Sequence, residues 1–137
     1  MSERWPQPVV GVVCFRGDEV LLIRRGNAPR LGEWSVPGGR MEWGETLHAA
    51  ALRELHEETA VTADLLELVG VYDGVFPQDD RHFVLIDYAA RWTGGEPVAG
   101  DDAADARFWP VEAAIEAVAW APTKHLIRAA WEQFGGR

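Results

Sequence analysis

The stretch that decides the reading runs GRMEWGETLHAAALRELHEETAV, from Gly39 to Val61. Its centre, Thr46–Thr59, is rich in strong helix formers and holds neither glycine nor proline, so it predicts an α-helix. At about 100° per residue, Glu54, Glu57 and Glu58 fall within roughly 100° of arc. Ala51, Leu52, Leu55 and Thr59 occupy a neighbouring arc that is expected to face the core. Three carboxylates therefore line one edge of the helix, beside its buried face. Like charges at i, i+3 and i+4 repel by a few tenths of a kcal/mol per pair even on an exposed helix, and partial burial raises the cost. An isolated helix of this kind is most simply a solvated acidic face. The residues upstream change the weighting. Gly38-Gly39 allows a sharp bend with φ > 0, and Glu42 and Glu45 lie on the loop that feeds the helix. A divalent cation would relieve the crowding, because hard ions such as Mg²⁺ take carboxylate oxygens and keep positions for water and phosphate. That arrangement can neutralise a pyrophosphate and activate a water.

Outward from this unit, Pro8–Phe15 and Val20–Arg25 read as strands joined by the turn Arg16-Gly17-Asp18-Glu19, a hairpin. Residues 1–7 form a loose lead-in. Gly26–Trp34 is a loop, continued by Ser35–Gly39 into a tight bend. After the helix come a bent strand at Val61–Tyr72, a loop at Phe76–Asp80 and a strand at His82–Trp92 with β-branched and aromatic content. The loop Thr93–Ala104 carries the acidic pair Asp101-Asp102. Ala106–Trp109 is a short strand, and Pro110 ends it and opens a helix at Val111–Val118. Pro122–Phe134 is a last helix, with Leu126, Ile127, Ala130 and Trp131 as its apolar stripe. Strands mixed with three helices predict a layered α/β or α+β domain, expected to be one domain over residues 1–137.

Composition narrows the function classes. A chain of 137 residues with 47% apolar and 26% charged residues can bury a core of its own. No apolar run approaches the roughly 20 residues that span a bilayer, and Met1–Pro6 has no signal pattern. A cytoplasmic location without a membrane partner is the expectation. The single cysteine, Cys14, allows no internal disulfide and reads as a small buried hydrophobe. A net charge of −9 argues against a nucleic-acid groove. It is compatible with a small phosphorylated ligand when a divalent cation lies between the two sets of negative charge.

The spacing of Gly39, Glu45, Arg53-Glu54-Leu55, Glu57-Glu58 and Val61 resembles the Nudix box, Gly-x5-Glu-x7-Arg-Glu-U-x-Glu-Glu-x-Gly-U, where U is apolar. Eight of the nine defined positions match, over 23 of the 137 residues. The flanking Trp34–Gly39 and Glu42–Glu45 are similar to the same family, and so is the order of elements over nearly the whole chain. The departure is Ala60, where the family has glycine. That position favours a left-handed backbone, and an alanine there should cost on the order of 1 kcal/mol. It carries no side-chain chemistry, so metal binding should survive.

The resemblance implies a Nudix-type α/β/α sandwich around a mixed, partly barrel-like sheet. It implies a pyrophosphohydrolase acting on a nucleoside diphosphate linked to another moiety, with Mg²⁺ or Mn²⁺ held by Glu54, Glu57 and Glu58. Arg53 would orient a glutamate through a charge-assisted hydrogen bond, and Glu45 would stand behind the metal ligands. The residue that takes the proton from water is left unassigned. Asp102-x2-Asp105-x-Arg107-Phe108 is similar to a later acidic stretch of the family, so Asp102 is the better candidate for a further metal ligand, against a solvated turn for the pair Asp101-Asp102. Arg24 and Arg25 are candidate substrate contacts, one pointing in and one out, and Gly38 and Gly39 would lie at the substrate. Arg30 is a weaker phosphate candidate.

Among the aromatic residues, Trp34 and Trp43 read as core packing, with base stacking as the alternative. Trp109, Trp120 and Trp131 read as core. His82, Phe83 and Tyr88 lie on the strand across from the box, where either face could meet a substrate. His56 is expected to be exposed, and His48 and His125 carry no constellation. Similarity in Leu21–Arg25 and Gly100–Trp109 to small bacterial ADP-ribose pyrophosphatase-like proteins favours an ADP-ribose-like substrate. The rivals are a nucleoside triphosphate pyrophosphatase and a Nudix-fold sensor that binds a nucleotide without cutting it. The resemblance leaves room for a homodimer.

Overall fold

The computed structural model describes residues 4–100 and 102–136. The valine-rich segment of the N-terminal third forms β1 (Gln7–Arg16), buried along Val10–Phe15. A segment apolar on both faces belongs in the middle of a sheet with helices on either side, and β1 lies there. It turns at Gly17 (φ +61°) into β2 (Glu19–Arg25), with Phe15 opposite Val20. On its other side it runs parallel to β6 (Arg81–Gly94), from Gln7 beside Phe83 to Phe15 beside Arg91. The main path of the sheet is β3-β2-β1-β6-β5, with β3 at Trp34–Ser35 and β5 at Thr62–Phe76. Off this path β4 (Gly38–Arg40) pairs with β1, and β7 (Ala103–Pro110) pairs with β2. All pairings except β1 with β6 are antiparallel, so the sheet is mixed, and it does not close.

Alternation along β1 serves two cores. Val10, Val12 and Cys14 pack with Ala50, Ala51 and Leu55 of α1 (Leu47–Thr59). Val13 and Phe15 face α2 (Val111–Ala117) and α3 (Ala121–Phe134), meeting Ile115, Leu126, Ile127 and Ala130. The layering is the expected α/β/α sandwich. Burial pushes the Cys14 thiol up to about 12, leaving it inert as a nucleophile. Among the described residues no helix is long and apolar enough to cross a membrane.

Helix α1 is fixed at both ends. The Thr46 hydroxyl accepts from the Ala49 N–H at 3.1 Å, an N-cap. Ala60 closes the other end in the left-handed region, φ 62° and ψ 9°, and its N–H donates to the His56 carbonyl at 2.9 Å. The structure thus confirms the backbone state inferred for Ala60.

Several local expectations change. The Gly38-Gly39 bend is a strand: both residues are extended in β4, Gly38 opposite Gly11 and Gly39 opposite Val10. What demands glycine is space. A Cβ on Gly38 would sit on the Val10 carbonyl oxygen, and one on Gly39 would sit inside the Glu54 carboxylate. Leu52 is 39% exposed rather than buried, because α1 turns Ala50 inward in its place. Trp43 does not pack in the core; it stands fully in solvent. The strand begins at Gln7, which shortens the expected lead-in; residues 1–3 lie outside the described residues.

Candidate active site

A cavity of about 680 Å³ opens between the second half of α1, strands β1, β4 and β6, the 26–36 loop and the start of α3. Glu54, Glu57 and Glu58 line one end, because the helix presents them toward β4. Glu58 is 8% exposed, and its Oε1 accepts the Gly38 N–H at 2.7 Å. Burial pushes this carboxyl up to about 7, against the opposing pull of that N–H and of Arg25. Glu54 is also raised, first by burial and then by the neighbouring Glu57 and Glu45 charges, with Arg53 opposing.

Arg53 organises the cluster. Its Nε and Nη2 grip Glu45 at 2.6 and 2.8 Å, Nη1 donates to Glu54 Oε1 at 2.7 Å and Glu57 Oε2 at 3.0 Å, and Nη2 reaches the Arg40 carbonyl at 3.0 Å. This is the bidentate carboxylate geometry that a planar guanidinium suits. Arg53 holds the Glu45 carboxyl down to about 2, with help from the Glu42 N–H. Glu45 thus belongs to Arg53 and stands behind the cavity wall.

The remaining candidates separate. Arg25 lines the cavity; its Nε donates to the Pro29 carbonyl at 2.6 Å, and it feels the charges of Glu58, Glu33 and Asp102. Arg24 is exposed, opposite Trp34 and Asp105, and is absent from the lining. Gly38 and Gly39 both line the cavity, as does Asp102, whose carbonyl accepts the Gly26 N–H at 3.0 Å. Asp101 lies outside the described residues. Arg30 sits on the rim, paired with Glu33 at 2.8 Å and 5.8 Å above the Trp120 ring. Of the three residues expected on β6, Phe83 lines the cavity, Tyr88 is buried under α1 against His48, and His82 is exposed.

The donor set suits a hard divalent cation. Glu54, Glu57, Glu58 and Asp102 offer only oxygen. Each of the three glutamates has one oxygen engaged by Arg53 or Gly38, and the other takes no hydrogen bond among the described residues. The four are not gathered into a finished cage: among the described residues no three His, Cys, Asp or Glu side chains already stand in metal-holding positions. Binding therefore requires carboxylate rotation about side chains already tethered at one oxygen.

Two features of the cavity escaped the sequence reading. Trp120, expected in the core, is half-buried in the cavity wall, its ring 5.3 Å from Phe76. Asp87 lines the cavity at only 5% exposure, and burial pushes it up to about 7. Its signal was a lone acid inside the apolar run Phe83–Ala90.

A family model described as NUDIX domain matches residues 5–130. The chain belongs to the Nudix family. An ADP-ribose pyrophosphatase of Methanocaldococcus jannaschii is 36% identical over 104 residues, covering 76% of this chain and 62% of the relative. A putative 8-oxo-dGTP diphosphatase 2 of Mycobacterium tuberculosis is 37% identical over 118 residues, covering 85% of this chain and 81% of the relative. Among solved structures, the NUDIX domain of Shewanella oneidensis NrtR complexed with ADP ribose superposes with a TM-score of 0.81 at 26% identity, covering 96% of this chain and 90% of that one. The chain spans 33% to 62% of the length of several curated relatives that it matches. The Nudix box is thus one physical unit here: β4, α1 and the αL residue Ala60, with Arg53 as the tie between them.

Proposed function

We propose that this Nudix chain hydrolyses a phosphoanhydride bond in a nucleoside diphosphate linked to another moiety, with Mg²⁺ or Mn²⁺ as cofactor and an ADP-ribose-like molecule as the favoured substrate. The observation that carries the reading is a cavity with two unlike ends. One holds Glu54, Glu57, Glu58, Asp102 and Arg25; the other is walled by Phe76, Phe83, Leu85, Trp120 and Leu126, with Arg30 and Arg81 beside the rings. A diphosphate suits the first and a nucleoside the second, and the volume lies within the range of small-molecule sites.

Glu54, Glu57 and Glu58 would hold the cation, with Asp102 at the mouth. When bound, it neutralises phosphate oxygens and lowers the pKa of the attacking water. Arg53 tethers one oxygen of Glu54 and one of Glu57, leaving the other oxygen of each for the cation. Arg25, whose charge is felt at Glu58, would meet a phosphate oxygen. Gly39 keeps β4 thin enough for Glu54 to lie across it, and Gly38 lets β4 close on β1.

The Methanocaldococcus relative and the ADP-ribose complex support the dinucleotide-type substrate. The Mycobacterium relative, matched over most of its length, favours a second reading, removal of pyrophosphate from a damaged nucleoside triphosphate. Product analysis separates them. Purified protein with Mg²⁺ or Mn²⁺ should release AMP from ADP-ribose faster than pyrophosphate from 8-oxo-dGTP. The reverse order supports the triphosphate reading. No cleavage of any nucleotide in a broad panel would leave a binding protein, and hydrolysis would have to be abandoned.

A further inference from the structure

We propose that Asp87 is a specificity-determining residue whose carboxyl reads the edge of the substrate's nucleobase. The inference rests on the nucleotide-hydrolase reading above and deepens it.

The geometry begins with alternation on β6. Phe83, Leu85 and Asp87 line the cavity, while Ile86, Tyr88 and Ala90 pack toward α1. On this face of β6 the apolar pair Phe83 and Leu85 lies between Arg81 and Asp87, which also line the cavity. Across the sheet, the row through it reads Gly38, Gly11, Asp87, Gly70 on β4, β1, β6 and β5. Of these glycines, Gly11 lies directly against the Asp87 side chain. A Cβ on Gly11 would land on Asp87 Oδ1, and one on Gly70 would press the Tyr72 ring at 3.0–3.1 Å. The missing Cβ on Gly11 leaves the space that the carboxyl occupies.

In that space the carboxyl has no hydrogen-bond partner among the described residues, although it is 5% exposed and lines the cavity. Buried polar groups are nearly always paired, so an unpartnered one aimed into a cavity marks a place where a ligand supplies the partner. Its surroundings say which partner. Gly11, Leu85 and the Tyr72 phenol stand around it, with no cationic side chain among the described residues to hold a phosphate beside the carboxyl, and a charged carboxylate there would repel one. The burial that pushes Asp87 up to about 7 also keeps a substantial share of it as the neutral acid near neutrality. A neutral acid offers a donor and an acceptor side by side. Adenine-type amidine edges and guanine-type lactam edges present the matching pair; a ribose hydroxyl does not fix both. Position agrees: Asp87 lies two strand spacings, about 10 Å, from Gly38, whose N–H holds Glu58. That is about the span of a ribose and a base from the cation end.

The test is binding of nucleoside monophosphates without turnover, by titration calorimetry on the whole chain. AMP and GMP are compared with purine riboside 5′-monophosphate, which lacks the exocyclic donor, and with ribose 5-phosphate, which lacks the base. Wild type should bind AMP or GMP about ten-fold or more tightly over purine riboside monophosphate. Asp87→Leu keeps a branched shape and should erase that preference without lowering the thermal midpoint. Asp87→Asn carries a permanent donor and acceptor and should recover most of the preference lost in Asp87→Leu. Unchanged base preference in Asp87→Leu, or Asp87→Asn binding as poorly as Asp87→Leu, would overturn the proposal. Absence of hydrolysis over a nucleotide panel would instead sink the catalytic reading and leave this base preference measurable.

Discussion

Glu58 carries two loads at once. It ties α1 to β4 through the Gly38 N–H, and its other oxygen faces the cavity. Glu58→Gln keeps an acceptor for that N–H but loses the charge needed against a cation. Turnover should fall by orders of magnitude while circular dichroism stays native and the thermal midpoint does not fall, since the neutral amide avoids the cost of a buried charge; Glu57→Gln should behave alike in turnover. Near-normal kcat in either would remove the metal-site assignment. Ala60 is the opposite case, a residue with no chemistry and a strained backbone at φ 62°. Ala60→Gly should stabilise by about 1 kcal/mol, a rise of a few degrees in thermal midpoint, with kcat unchanged. A midpoint that falls would mean that unfolded-state entropy outweighs the relief. Both the carboxylate arc and the αL position were legible in the sequence, because both follow from helix geometry over a few residues. Arg24 and Arg25 show the limit: alternation said that one faces in, and only the structure shows it is Arg25 that lines the cavity.

At the scale of elements, α1 and β4 form one device. The helix was readable from its formers, its Thr46 cap and its glutamate spacing. The strand was not, since Gly38-Gly39 looks like a bend until its partner β1 is known. Glycine serves there for thickness, and two substitutions separate the consequences. Gly39→Ala meets the far end of the flexible Glu54 side chain. The chain should fold with a modest loss of stability, while Glu54 is displaced and the cation affinity read by titration falls at least several-fold. Gly38→Ala meets backbone, the Val10 carbonyl. It should shift the strand pairing itself and lower the thermal midpoint by several degrees more than Gly39→Ala. Equal midpoints for the two would refute the distinction between side-chain and backbone crowding.

For the whole molecule, stability and acidity are linked through the buried acids. Glu58 rises from 4.5 to about 7 and Asp87 from 3.8 to about 7. Between the unfolded and folded values the native state binds more protons than the unfolded chain, so stability falls as pH rises through that window. For Glu58 alone the loss is on the order of 3 kcal/mol. Glu45, held at about 2 by Arg53, acts in the other direction: its contribution is present above 4.5 and is lost as pH falls toward 2. With chelator, the thermal midpoint should therefore peak near pH 4–5 and decline toward pH 7.5. Saturating Mg²⁺ or Mn²⁺ should restore much of the decline, since a cation favours the ionised glutamates. A flat midpoint in chelator across that range would refute the linkage. Such coupling was not legible in the sequence, because Asp87, Trp120 and the carboxylates meet only when distant strands and α3 close around one space. The cavity's acidity also governs how a ligand arrives. With a net charge of −9 and Asp102 at the mouth, the field works against the approach of a free polyanion. Encounter then favours a nucleotide already carrying its counter-ion, and simple salt, which ordinarily weakens charge-steered association, should here shorten the search.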